Sequence, residues 1–409
     1  MGWILKALSA VVAKNLRLFD PDLGRVLIGD TASHSGKTVT VDTALQISTA
    51  FACVRIISQT WGTLPVEVKI WNGSSMAPSR DHPLYGLLHH SPNADMSAVE
   101  FWSAMGVSLM TWGNAYAEID RIFDRPIAIT PLRPDRITMR RNESGAIVYR
   151  YSDQGRVRDI QESDVLHIKG VTTDGLMGLS PIAQARHSLG LAVAAEETAG
   201  KLFANGMRTG GYIAVPQTLT RDQRDQAEEL LGKFRGAHNA GKTPILEAGW
   251  KYESLSMPPQ EAELLATRAF GVEEIARWYG VPPFMIGHMD KSTSFGTGIE
   301  QQMLGFYALT LRPILKNAEH AILRRLVAPA ERDRVEVDFN VEGLLRADSQ
   351  GRALYLKTMV EAGIYTRNEA RNYEGKGPLP GGDALTAQSQ NVPLSMLGHN
   401  GGPALEPVP

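Results

Sequence analysis

Cysteine is nearly missing: Cys53 is the single one in 409 residues. One thiol excludes an internal disulfide framework and a thiolate zinc cluster within the chain, and it fits a reducing compartment. Neither sign of charge dominates, with 42 Lys and Arg against 44 Asp and Glu and a formal net charge of −2. That balance excludes a sequence-independent clamp that grips nucleic acid through many phosphates, but not a protein past which nucleic acid slides. No apolar run reaches membrane-spanning length, and the apolar start is interrupted by Lys6 and Lys14. Residues 1–14 therefore read as a docking helix rather than a signal peptide, with membrane-surface binding as the alternative. Catalytic signatures are missing too. There is no H-E-x-x-H and no G-x-G-x-x-G after a strand, and Gly178-Leu179-Ser180-Pro181 lacks the final glycine of G-x-S-x-G. What is present is an ordinary globular composition, 43% hydrophobic and 21% charged, with room for two or three cores.

One phosphate-binding pattern is complete. GAHNAGKT, residues 236–243, places Gly236, Gly241, Lys242 and Thr243 at the spacing of a P-loop. A P-loop needs a strand before it and a helix after it, because the helix start supplies the amides that hold phosphate. Upstream, however, Thr220 and Gln223 form a capping box that opens an amphipathic helix through Leu231 and Phe234. Downstream, 244–246 and 250–253 look like strand. The inverted order favours a helix-to-strand turn with Lys242 in solvent. A P-loop NTPase using 236–243 is the alternative function. The near miss Ser35-Gly36-Lys37-Thr38 lacks the first glycine, since Thr31 stands there.

Along the chain, a helix is expected from Asp42 to Pro65, with Leu45, Ile47, Phe51, Val54, Ile57 and Trp61 on its apolar side. Cys53 in that stripe reads as a buried thiol rather than a nucleophile. Val66, Val68 and Ile70 alternate into an Asn72-Gly73 hairpin turn. Ser97 and Glu100 form a capping box for a helix carrying Phe101, Trp102, Met105 and Leu109 and stopping at Gly113. Between Ala115 and Gly170, short strand-like runs separated by Pro, Asn, Asp and Gly predict a small twisted β-barrel or sheet. His167, flanked by Leu166 and Ile168, reads as a hydrogen-bonded strand residue, because no second ligand stands at metal-binding spacing.

A long helix is expected from Ser180 to Ala204, with small residues on several faces: Ala192, Ala195 and Ala199 among them. Such a helix is either the buried centre of a bundle or one packed against its own copies. A second runs from Gln260 to Tyr279 and carries Phe270 and Trp278. A third runs from Ile299 past Pro313, where a kink is expected, to about Leu326. Val335–Phe339 reads as a strand, and Thr366 and Glu369 cap a last helix. Beyond Gly375 the Gly, Pro, Ser and Gln content predicts a largely disordered tail.

The order of these parts resembles the portal proteins of tailed double-stranded DNA bacteriophages. The likeness rests on GLSPI at 178–182, FANG at 203–206, EIARWYGVPP at 274–283, STSFGTGIEQ at 292–301, TLRP at 310–313 and TRNEAR at 366–371, in the family's order over about 40–383. It implies an α+β portal-type subunit: an α/β wing containing a small β-barrel, two long stem helices, an inserted α/β clip, a long kinked helix and a C-terminal helical crown. The segments it implies are an N-terminal arm (1–40), wing (41–178), stem helix (179–206), clip (207–258), second stem helix (259–283), tunnel loop (284–298), long helix and wing strand (299–345), crown (346–378) and flexible tail (379–409).

The resemblance further implies a structural protein without catalysis or cofactor. It implies a dodecameric ring at one capsid vertex, assembled in the host cytoplasm, through which DNA passes without sequence specificity and without a membrane. Implied partners are the large terminase, the major capsid protein and head–tail adaptor proteins. Implied channel contacts are Lys291, Ser292, Thr293, Ser294 and Phe295, and Phe295-Gly296-Thr297-Gly298 is richer in glycine than the usual tunnel loop. Docking on the clip is assigned to Arg221, Arg224, Glu228, Lys233 and Lys242. Subunit packing on the stem is assigned to Ala192, Ala195, Ala199, Phe270 and Trp278.

Overall fold

The computed structural model describes residues 32–204, 211–214, 218–232, 251–254, 260–288, 297–341 and 349–386. They belong to two compact units, Met1–Asn340 and Val341–Pro409.

In the first unit, the stretch expected as one helix is two: α1 (Val41–Gln46) and α2 (Ser48–Thr63). Ile47, at φ −74° and ψ 118°, is extended backbone between them, its side chain buried. The break resets the helical phase. Ala50, Cys53, Val54, Ile57 and Trp61 face inward, while Phe51, assigned to the apolar side from sequence, stands half-exposed. Burial pushes the Cys53 thiol up to about 12, so it carries no thiolate at neutral pH.

The helix α3 (Ala98–Trp112) begins with the expected capping box, the Ser97 hydroxyl accepting from the Glu100 amide and the Glu100 carboxylate from the Ser97 amide. It packs on α2 at short range because two glycines stand at the contact. A Cβ on Gly106 would lie 2.8 Å from the Ser58 Cα, and one on Gly62 2.1 Å from the Ser103 Oγ. Trp61 and Trp102 are fully buried and stack at 5.7 Å. Each contributes about 1.5–3 kcal/mol or somewhat more through its buried surface.

Next to these aromatics, β1 (Val66–Trp71) pairs with β2 (Met76–Pro78) in the expected hairpin. On its other edge it pairs antiparallel with β11 (Val335–Phe339), Val66 opposite Phe339. Phe339 sits edge-on to Trp102 at 5.1 Å. The two ends of the unit are thus joined in one sheet and one core.

The region expected as a small barrel is two three-stranded antiparallel sheets. One has the order β4 (Arg125–Leu132), β3 (Asn114–Ile122), β8 (Val165–Lys169). The other has the order β5 (Ile137–Arg141), β6 (Ile147–Asp153), β7 (Arg156–Gln161). Tyr116, Leu132, Met139, Tyr149, Tyr151, Ile160 and Val165 form their shared core. The hydrogen bonding does not close because the chain changes sheet through 3-10 turns at Pro134–Arg136 and Glu162–Asp164, which do not continue a ladder.

After a short helix α4 (Pro181–Gln184) and a break at Ala185 comes α5 (Arg186–Ala204). Next are β9 (Gly211–Ala214), α6 (Arg221–Gly232) and β10 (Lys251–Ser254), with β9 and β10 antiparallel. GAHNAGKT lies outside the described residues. The nearest described elements are α6 before it and β10 after it, the reverse of a P-loop's order.

The helix α7 spans Gln260–Tyr279, as expected, and ends at Gly280 with φ 66°. The third long helix starts as α8 (Thr297–Phe306), passes through a π turn at Tyr307–Leu311 and resumes as α9 (Arg312–Leu326). Pro313 has no amide and its ring crowds the carbonyl four residues back, so the turn before it widens.

In the second unit, α10 (Ser349–Glu361) is followed by α11 (Arg367–Tyr373), whose capping box joins Thr366 and Glu369 as expected. Residues 376–386, within the segment expected to be disordered, are held in place by Asn368. The Asn368 side chain donates to the Leu379 carbonyl at 2.9 Å and the Asp383 carboxylate at 2.8 Å, and accepts from the Leu379 amide at 2.8 Å. One buried carboxamide thus supplies the hydrogen bonds a Gly- and Pro-rich segment cannot make with itself.

Candidate assembly surface

Two arrangements organise the first unit: a polar joint between the β-rich part and the long helices, and a set of uncovered apolar side chains along those helices.

The joint is built on glycine. Gly113 ends α3 at φ 71°, where only glycine is unstrained. Its carbonyl accepts the Gly170 amide at 2.8 Å. The Gly178 backbone lies so close that a Cβ there would stand 1.9 Å from the Gly113 oxygen.

Asn114, the first residue of β3, fills the corner. Its Nδ2 donates to the carbonyls of Gly178 at 2.8 Å and Trp112 at 3.1 Å. Its Oδ1 accepts the Gly178 amide at 2.8 Å and His167 Nε2 at 2.9 Å. With the carboxamide so oriented, His167 carries its proton on Nε2, and Nδ1 accepts from the Tyr149 hydroxyl at 3.1 Å. His167 is the hydrogen-bonded strand histidine expected. Burial first, and then Lys169 and Arg325, hold it well below its ordinary 6.5, so it is neutral. Ser180 completes the joint. Its hydroxyl donates to the Thr111 carbonyl at 2.7 Å and accepts the Ala183 amide at 3.2 Å, tying the start of α4 to the end of α3.

The start of α5 lies against the end of α7. Ser188 Oγ donates to Glu274 Oε1 at 2.8 Å and accepts from Trp278 Nε1 at 3.2 Å. Leu189, Ala199, Ile275, Ala276 and Tyr279 are buried. Other apolar side chains on the long helices are not: Leu191 on α5 is 47% exposed, Phe270 and Trp278 on α7 55% and 46%, Leu304 on α8 47% and Leu309 in the π turn 82%. Exposed large apolar side chains on long helices are candidates for a protein-binding surface.

The residues singled out in the sequence are distributed as follows. Phe270 and Trp278 belong to the exposed apolar set. Ala192 and Ala195 are half-buried, and Ala199 is buried by its own chain. Arg221, Arg224 and Glu228 are exposed on α6. Lys233, Lys242, Lys291, Ser292, Thr293, Ser294 and Phe295 lie outside the described residues. Glu274 on α7 accepts the hydrogen bond from Ser188.

Sequence reasoning missed Asn114, whose only signal is an isolated asparagine at a strand start, and it read Gly178 as part of the GLSPI motif and not as a partner of Asn114. Among the described residues no group of three or more His, Cys, Asp or Glu is placed to hold a metal ion, and no helix is long and apolar enough to cross a membrane.

A family model described as "Phage portal protein" matches residues 48–375. The portal protein of Enterobacteria phage HK97 is 38% identical over 406 residues, covering 98% of this chain and 95% of the relative. A probable portal protein of Streptomyces phage phiC31 is 33% identical over 414 residues, covering 95% and 86%. Among solved structures, a chain from the neck of an empty GTA particle matches with a TM-score of 0.60 at 24% identity, covering 90% of this chain and 99% of that one. An HK97 family phage portal protein from Corynebacterium diphtheriae matches with a TM-score of 0.56 at 16% identity, covering 75% and 96%. These two structural likenesses establish the mixed helix-and-sheet fold.

Proposed function

The chain belongs to the phage portal protein family, and from that membership we propose that it is a structural subunit of a portal ring through which double-stranded DNA enters a particle and later leaves it. The observation that supports this reading is the exposure of Leu191, Phe270 and Trp278 on α5 and α7, which are already paired within the chain, and of Leu304 and Leu309 on the third long helix. Their natural cover is the next copy in a closed ring. The neck of the native GTA particle was computed with C12 symmetry, and twelve copies is the number proposed here.

In this reading α5 and α7 are the stem, residues 41–178 with β11 the wing, 207–258 the clip, 284–298 the tunnel loop and 346–378 the crown. The arm is 1–40 and the tail 379–409. The clip, with exposed Arg221, Arg224 and Glu228 and also Lys233 and Lys242, docks the large terminase during packaging and head–tail adaptors afterwards. The wing meets the major capsid protein. ATP is consumed by the terminase and not by this chain. A near-neutral protein suits a channel in which any attraction to DNA is multiplied by the number of copies. Lys291 to Phe295 make only passing contacts there. The protein resides in the virion at the capsid vertex after assembly in the host cytoplasm.

The test is particle formation in cells lacking this chain. The reading predicts capsids without DNA, restored to filling when the chain is supplied. DNA-filled, stable capsids in its absence would overturn it.

A further inference from the structure

The first described residues do not lead away from the body of the protein; they clasp α5. Residues 32–38 form a closed turn. Ala32 bridges Thr38, the Ser33 amide donates to the Lys37 carbonyl at 2.8 Å, and the Ser33 hydroxyl donates to the same carbonyl at 2.9 Å.

This turn touches α5 at three places. The His34 amide donates to His187 Nδ1 at 3.3 Å, and the two imidazoles stack at 3.7 Å with 17° between planes. Ser33 sits over Gly190, where a Cβ would be 2.1 Å from the Ser33 Oγ. Lys37 Nζ reaches the Glu197 carboxylate at 2.5 Å. Positions 187, 190 and 197 share one face of a helix with about 3.6 residues per turn, and Ser188, which bonds α7, lies on another.

We propose that residues 32–38 are a proton-sensitive strap, held on α5 while His187 is neutral and released when it is protonated. The geometry requires a lone pair on His187 Nδ1, because an N–H donor already points at it. A proton there sets donor against donor.

The charged group acting on His187 besides His34 is Arg186, while Lys37 of the strap and Lys201 act on Glu197 further along α5. Burial, His34 and Arg186 all lower the pKa of His187 below its ordinary 6.5, so the closed strap loses stability as pH falls below that value. The hydrogen bond from Lys37 holds the Glu197 carboxyl below its ordinary range, so the ion pair persists while His187 titrates.

Hydrogen exchange on the full-length protein tests it, with rates corrected for intrinsic pH dependence and amides in the middle of α7 as the internal reference. Between about pH 8 and about pH 5, protection of the amides of 33–37 falls by at least about tenfold, while the reference amides keep theirs. In His187→Ala protection is low at both pH values. In His187→Gln, whose carbonyl accepts without titrating, it does not vary with pH. Equal strap protection at both pH values in the unaltered protein would overturn the proposal, and so would a pH-dependent loss that survives in His187→Gln.

Discussion

The carboxamide of Asn114 and the backbone of Gly178, 64 residues apart, are joined by two opposed hydrogen bonds of 2.8 Å, amide to Oδ1 and Nδ2 to carbonyl. A side chain thereby pairs with a backbone as a second strand would, at the point where the β-rich part hands the chain to the long helices.

Asn114→Ala leaves the Gly178 amide and carbonyl and His167 Nε2 without their partners in a dry site. The expected cost is about 2–4 kcal/mol, measured as a lower denaturation midpoint at unchanged slope. Asn114→Asp also destabilises, because it replaces the donor to two carbonyls with an acceptor.

His167 sets a pH dependence. Its pKa in the folded protein lies below 6.5, so below that pH the unfolded chain binds the extra proton and the folded one does not. Stability is complete above pH 6.5 and declines as pH falls, by up to about 1.4 kcal/mol per pH unit until the folded group itself titrates. Denaturation midpoints measured from about pH 7.5 downward show this decline, and in His167→Gln the slope is shallower by that amount.

Two glycine substitutions separate space from backbone strain. Gly178→Ala drives a Cβ to 1.9 Å from the Gly113 oxygen and loses at least about 3 kcal/mol. At Gly145, with φ 82° and open space around it, alanine meets only backbone strain and costs about 1–2 kcal/mol. Thermal denaturation of the two variants gives the contrast.

Phe270→Glu places a charge within the exposed apolar set without touching the core. Assembly is lost while helix content and denaturation midpoint of the subunit are kept, as read by light scattering and circular dichroism.

Lys242→Ala leaves assembly unchanged, and neither protein binds ATP in equilibrium dialysis. ATP binding that vanishes in the variant would restore the P-loop.

Features that depend on near neighbours were legible in the sequence. Ser97 with Glu100 and Thr366 with Glu369 encode their capping boxes within four residues, and Gly113 marks its helix end by the conformation it alone adopts easily. His167 was legible because alternation placed it on a buried strand. Features that depend on distant partners were not. Nothing at Ile47 or Ala185 announces a break, since both are compatible with helix and the cause lies in packing. Six short strands divide into two sheets rather than a barrel through pairings that span tens of residues.

Asn368 ordering 379–383 and Asn114 holding Gly178 show the same limit, because an asparagine's partners are invisible in its own neighbourhood. For the candidate assembly surface, Phe270 and Trp278 were assigned to subunit packing through the resemblance and are exposed in the subunit, whereas Ala199, assigned with them, is buried by its own chain.

The most direct test of the central claim is the native mass of the purified full-length protein together with its negative-stain image. The account predicts a closed ring with a central hole and a mass that is a whole-number multiple, near twelvefold, of the 44.7 kDa chain. A stable 44.7 kDa monomer that stays monomeric at high concentration would contradict it.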